Sequence, residues 1–322
     1  MGKNRRYLEY RFSKFQKRLV RAFCSKLYRD KNRDIGTSIL IAGTARSGTT
    51  WLADIIASQI PCRIMFEPFH SEKIMEFRRF HYFQYMRPTQ DNNELYEYCH
   101  NLFTGKIKDS WIDRQVDQLN PRYRLLKDIR ANLFLKWISD NFPQVPILFI
   151  IRHPCAVVLS RMKLDWATDT DIAPFLEQTS LVDDFLSDKM EIILRSQTDE
   201  EKHAVIWCIS HLVPIKQFNS DGLNIVFYEN LCLQPEVEIP KIFQAIKHEY
   251  QASVFDQVKK PSTTITRNSA IITGEDKVTR WQRELSPKQI HKIFSIIEDF
   301  ELGYIYGDSA KPVVTTLQKK EL

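Results

Sequence analysis

No run of eighteen consecutive apolar residues occurs in the chain, and the most apolar segment, Ile147 to Ile151, is only a strand's length. A spanning helix needs about 20 such residues, so none is expected. The sequence opens Met-Gly-Lys-Asn-Arg-Arg-Tyr, with neither the apolar core nor the cleavage pattern of a secretory signal. Gly2 is followed at position 6 by arginine, where acylation requires a hydroxyl. These absences predict a cytoplasmic chain. Its six cysteines (Cys24, Cys62, Cys99, Cys155, Cys208 and Cys232) form no CxxC pair, which excludes a disulfide framework and a thiolate zinc site. No HxxH, HExxH or carboxylate cluster is present, so no metal site is expected. Repeats and low-complexity segments are also missing.

What is present is the composition of an ordinary globular protein, with 43% hydrophobic and 27% charged residues. The net charge of +6 is unevenly spread. Residues 1–33 hold twelve Lys or Arg and two acids, a net of +10, so the remainder sums to −4. Within that stretch Leu8, Phe12, Phe15, Leu19, Phe23 and Leu27 recur every three or four residues, which predicts a basic helix with one apolar face. Such a helix can pack on its own domain, dock on a partner or lie in an anionic membrane surface. No recognition-helix or aromatic-and-basic strand pattern points to nucleic acid.

Beyond the tail, strand-like and helix-like segments alternate. Strands are expected at Ser38 to Ala42, Ile64 to Phe66, Tyr123 to Leu126, Pro146 to Ile151 and Leu223 to Tyr228. Helices are expected from about Thr50 to Ser58, from Ala131 to Asn141 and from Pro154, a residue tolerated in a first turn. This order predicts an α/β fold, a P-loop-like three-layer sandwich whose central, mostly parallel sheet is flanked by helices. The expected organisation is a helical extension over 1–36, one domain over 37–310 and a polar tail over 311–322. Insertions near 71–120 and 164–195, the first helical and aromatic, the second acidic, are placed to wall or cover a substrate.

The stretch ILIAGTARSGTTWL, Ile39 to Leu52, has the form of a phosphate loop: a strand, a glycine turn and a helix start. Gly43 and Gly48 have the spacing of a nucleotide loop, yet Thr49 stands where the lysine of a γ-phosphate transferase belongs. Arg46 supplies the charge instead, and Ser47, Thr49 and Thr50 supply hydroxyls. About one hundred residues on, ILFIIRHPCAVVLSRM places Arg152 at a strand end, with Ser160 and Arg161 two helical turns later. Two anion sites suit a ligand with two separated phosphate groups.

RSGTTWL and IRHPCAVVLSR resemble the two signature segments of the sulfotransferases that use 3′-phosphoadenosine 5′-phosphosulfate (PAPS) and release adenosine 3′,5′-bisphosphate (PAP). The resemblance implies that Arg46, Ser47, Gly48, Thr49 and Thr50 hold the 5′-phosphosulfate, and that Arg152 and Ser160 hold the 3′-phosphate. It extends through Tyr228-Glu229-Asn230-Leu231 and through Gly274 to Ile290, which adds Trp51, Tyr228, Lys277 and Arg280 to the implied donor contacts.

Sulfuryl transfer needs an in-line acceptor, a base, and cations around the leaving phosphate. Lys127 is a candidate extra cation. Phenol and steroid sulfotransferases carry a Lys-Thr-His segment where this chain reads Lys127-Asp128-Ile129. Instead IMFEPFH, closest to the carbohydrate sulfotransferases, places Glu67 after the second strand as candidate base, with His70 as its rival. The expectation is a soluble, bacterial-type enzyme that sulfonates a hydroxyl of a carbohydrate, glycolipid or other amphiphilic metabolite. The alternatives are a P-loop kinase or hydrolase, and a nonenzymatic nucleotide-binding adaptor that meets an anionic membrane through residues 1–33.

Overall fold

The computed structural model describes residues 19–166, 169–219, 222–261 and 276–314. Five strands form one sheet: β1 (Ser38–Gly43), β2 (Cys62–Phe66), β3 (Tyr123–Lys127), β4 (Ile147–Ile151) and β5 (Asn224–Phe227). Their spatial order is β2-β3-β1-β4-β5, and all four pairings are parallel. Every strand named from the sequence is found, with ends displaced by one or two residues. Tyr228, expected to close β5, instead begins the short helix Tyr228–Leu233.

Burial on both faces follows from the two-residue period of a strand. Leu40, Ala42, Met65, Leu126, Phe149 and Ile151 enter one core. Their neighbours Ile39, Ile41, Ile64, Leu125, Leu148 and Ile150 enter the other. Helices Thr49–Ala57 and Pro235–Ala245 cover the second face. Helices Leu135–Asn141, Pro154–Met162, Asp199–Phe218 and Pro287–Asp299 cover the first. Two of these begin with reciprocal capping boxes, Thr198 with Glu201 and Ser286 with Gln289, which satisfy the orphan N–H groups. The chain runs from β1 outward to β2, returns through β3 and crosses to β4 on the other side. The strand ends around β1 therefore form a switch-point crevice, where this architecture binds ligands.

The insertion at 71–120 is less helical than its composition implies. Among its described residues only Asn93–Phe103 is α-helical, with single 3-10 turns at Met75–Phe77 and Ile112–Gln115. Its aromatic residues pack around Phe69, whose ring meets Phe77, Tyr98 and Phe134 edge-on at 5.0–6.1 Å. Edge-to-face ring packing holds an irregular segment without helical periodicity. The acidic insertion is helical from Asp169–Leu176 onward. Among its described carboxylates, Asp171 pairs with Arg161, Asp184 takes both Arg87 and the Tyr85 hydroxyl, and Asp188 pairs with Lys189 at 3.1 Å.

Residues 19–27 are helical, and Leu8, Phe12 and Phe15 lie outside the described residues. Leu19, Phe23 and Leu27 do not pack on the domain; they are exposed, and Cys24 and Tyr28 are buried in their place against Val116. The reason is ionic. Asp30 accepts Arg124 Nε at 2.8 Å and Arg63 Nη1 at 3.3 Å, and Tyr28 donates to Asp113 Oδ2 at 2.8 Å. Both arginines are fully buried, so these bonds set how the helix meets the domain.

Candidate active site

Gly48 has φ 99° and caps the helix Thr49–Ala57 without a side-chain hydrogen bond, which leaves the first helical N–H groups turned toward the crevice. A Cβ on Gly48 would lie 2.7 Å from the Tyr228 ring, so glycine is required by contact as well as by conformation. Arg46 is also left-handed, at φ 75°. Ser47 N–H closes the turn on the Thr44 carbonyl at 3.1 Å, and the Ser47 and Thr44 hydroxyls are bonded to each other.

The two signature segments meet directly. Arg46 Nε donates to Ser160 Oγ at 2.9 Å across 114 residues of sequence, and Arg152 Nη1 donates to the Arg46 carbonyl at 3.0 Å. Arg152 Nη2 reaches the Lys277 carbonyl at 3.2 Å, while its Nε is buried without a partner among the described residues. Burial, then the neighbouring Arg152, draws the Arg46 guanidinium below its usual value. Burial likewise lowers Lys277, with Arg152 adding to the effect. Cations whose charge is made costly by burial and by one another suit a polyanion. Arg152 lies 4.3 Å above the Tyr228 ring, Tyr228 meets Trp51 at 5.2 Å, and Lys277 lies 5.5 Å from the Trp51 ring. Arg280 heads the helix Arg280–Glu284 and pairs with Glu284 at 2.7 Å. Gly274, at the start of the C-terminal segment, lies outside the described residues.

Behind this cleft Glu229 accepts the His153 N–H at 3.0 Å and the Tyr306 hydroxyl at 2.8 Å. The His153 ring stacks on Trp281 at 4.2 Å, and burial depresses its pKa to about 3. The same ring meets Phe294 at 5.9 Å and Tyr306 at 4.9 Å, so it serves packing.

At the ends of β2 and β3 a second cluster forms. The Glu67 carboxylate accepts Lys127 Nζ at 2.6 Å on one oxygen and Arg130 Nη1 at 2.7 Å on the other. Burial acts to raise its pKa, but the two cations prevail and bring it down to about 2. Asp128, wholly buried, shapes the turn by accepting the N–H groups of Arg130 at 2.6 Å, Ala131 at 3.0 Å and Phe69 at 3.0 Å. His70 sits between the rings of Tyr82 and Trp111 at 5.3 and 5.2 Å, and its Nδ1 is buried without a partner among the described residues. Burial, helped by Arg130, lowers its pKa to about 4, so the imidazole is neutral at neutral pH.

Arg130 was not identified from the sequence as a site residue. Arg130 pairs with Glu67, donates to the Tyr82 hydroxyl and stands 4.4 Å over its ring. The spacing Lys127-x-x-Arg130 after a strand was the available signal. A cavity of about 350 Å³ adjoins this cluster, lined by Thr44 and Ala45 of the loop and by Tyr82, Phe83, Arg130, Arg161 and Trp166. Arg161 is held there by His203 Nδ1 at 3.0 Å and by Asp171.

A parallel α/β sheet with a glycine loop at its switch point and a cationic second segment bonded to that loop is the arrangement of a nucleotide-loop protein. Residues 38–252 match the model of the sulfotransferase family, and the chain belongs to that family. It is accordingly a PAPS-dependent sulfotransferase, which removes the kinase, hydrolase and adaptor readings. Among solved structures it is similar to the sulfotransferase domain from the Synechococcus PCC 7002 olefin synthase, at 15% identity, 85% of this chain, 98% of that chain and a TM-score of 0.46. It is similar to the sulfotransferase domain from the curacin biosynthetic pathway at 12% identity, with 81% and 97% covered and a TM-score of 0.43. Mouse sulfotransferase SULT7A1 complexed with PAP matches at 13% identity, with 88% and 89% covered and a TM-score of 0.41. No curated protein matches the chain.

Proposed function

We propose that the enzyme transfers the sulfonate of PAPS to a hydroxyl of a small ring-bearing acceptor, a carbohydrate or similarly hydroxylated metabolite, with Glu67 as base. The donor supplies an activated sulfonate on a phosphate leaving group. Arg46, the loop N–H groups and the hydroxyls of Ser47, Thr49 and Thr50 bind its 5′ end; Arg152 and Ser160 bind its 3′-phosphate. Trp51 and Tyr228 flank the donor's adenine ring, with Lys277 closing over Trp51. The observation that carries this reading is the direct bond from Arg46 to Ser160, which puts both cationic segments within reach of one nucleotide.

The acceptor fits the 350 Å³ cavity, whose aromatic side chains offer ring faces and whose arginines offer donors. Its oxygen bonds to sulfur as the bond from sulfur to the bridging phosphate oxygen breaks, and its proton passes to Glu67. A carboxylate with a pKa of about 2 is a weak base toward a free alcohol. Toward an oxygen already bonded to sulfur it is adequate, because that proton is strongly acidic. Lys127 and Arg130, now on Glu67, are placed to turn toward sulfonate oxygens, and each lost contact raises the basicity of Glu67.

His70 is the second reading, favoured by its neutral ring and unpartnered Nδ1. The test is transfer of labelled sulfonate from PAPS into saccharide, lipid and phenol pools, with calorimetric titration of PAP. Absence of PAP affinity in the wild-type chain overturns the donor reading. Transfer that survives Glu67→Gln but not His70→Asn moves the base to His70.

A further inference from the structure

We propose that the helix over residues 19–27 is a docking face for an anionic lipid surface, entered by Leu19, Val20, Phe23 and Leu27. These four are 57%, 47%, 59% and 53% exposed. On a helix turning about 100° per residue they occupy one arc about 100° wide, and Lys26 borders it. The arc cannot rotate inward. Cys24 and Tyr28 already occupy the buried side, and Tyr28 and the following Asp30 are tied to Asp113, Arg63 and Arg124 inside the domain. Swinging the apolar arc onto the domain would strip two fully buried guanidinium groups of a carboxylate partner.

Charge selects the occupant. Just past the helix Arg29, Lys31 and Arg122 line an open cavity of about 420 Å³ with no carboxylate among its lining residues. Residues 1–33 carry a net +10 against −4 for the rest of the chain. A second copy seated on this helix about a twofold axis would set the five Lys and Arg of residues 19–33 against the same five, which is repulsive. An apolar arc bordered by cations matches the acyl boundary and the phosphates of an anionic leaflet. The proposal stands apart from the donor and acceptor assignments, since none of these residues lies in the active-site cleft.

The test uses the full chain with vesicles of phosphatidylcholine alone and of phosphatidylcholine with one-third phosphatidylglycerol. The expected result is co-sedimentation with the anionic vesicles, weakened by salt, because surface charges are screened over about 10 Å at 0.1 M. Phe23→Glu with Leu27→Glu lowers the partition coefficient about tenfold or more, as burying acyl-facing side chains dominates insertion. PAP affinity and the circular dichroism spectrum stay unchanged, since both positions are exposed. No sedimentation, equal binding to neutral vesicles, or binding unaffected by the double substitution overturns the proposal. So does a dimer in sedimentation equilibrium that the double substitution dissolves, which would assign the face to a second copy.

Discussion

Replacing Glu67 by glutamine separates the electrostatic role of this residue from its chemical one. Its carboxyl falls from 4.5 to about 2 because Lys127 and Arg130 hold it at 2.6 and 2.7 Å. A group so depressed favours the folded state by about 3 kcal/mol near neutral pH, at 1.36 kcal/mol per pH unit. The side chain is 9% exposed, so solvent screens little of this. The contribution is complete above the unfolded value of 4.5 and is lost as pH falls through about 2. Glu67→Gln removes it and leaves two buried cations facing an amide. Urea denaturation is expected to show the variant about 3 kcal/mol less stable from about pH 8 to pH 5, with the gap narrowing below about pH 4.5. Turnover is expected to fall about a hundredfold or more, with PAP affinity kept. A stability gap under about 1 kcal/mol near pH 7, or one that persists undiminished at about pH 3, refutes the ion-triad reasoning. Turnover within about tenfold of wild type refutes the base.

Arg152→Ala removes the guanidinium that binds the Arg46 carbonyl, and PAP affinity by calorimetry is expected to fall about 10- to 100-fold. Gly48→Ala brings a methyl within 2.7 Å of Tyr228 at φ 99°, so PAP binding is expected to weaken even where the fold survives, read by the same titration. Trp166→Ala opens the cavity proposed for the acceptor; KM for the acceptor is expected to rise while PAP affinity stays constant. Asp30→Ala leaves Arg124 buried without a carboxylate and is expected to cost about 3–5 kcal/mol in urea unfolding. Turnover per folded molecule is expected to be retained.

The strands were legible because each holds a short apolar stretch bounded by polar or glycine residues, and local periodicity sets their faces. The loop was legible because Gly43, Arg46 and Gly48 lie within six residues of one another. Less legible was the state of Glu67, whose partners are 60 and 63 residues away. The insertion at 71–120 reads as helical from the sequence, yet rings that pack edge-on need no helical repeat.

Sequence alone determined the α/β order, the two cationic segments and the family they resemble, because those depend on neighbours in the chain. Tertiary structure decided that Arg46 touches Ser160, that two cations hold Glu67 ionised, and that Leu19, Phe23 and Leu27 face outward. Coulomb and contact forces act through distance in space, and the parallel crossovers bring together strand ends that lie sixty or more residues apart along the chain.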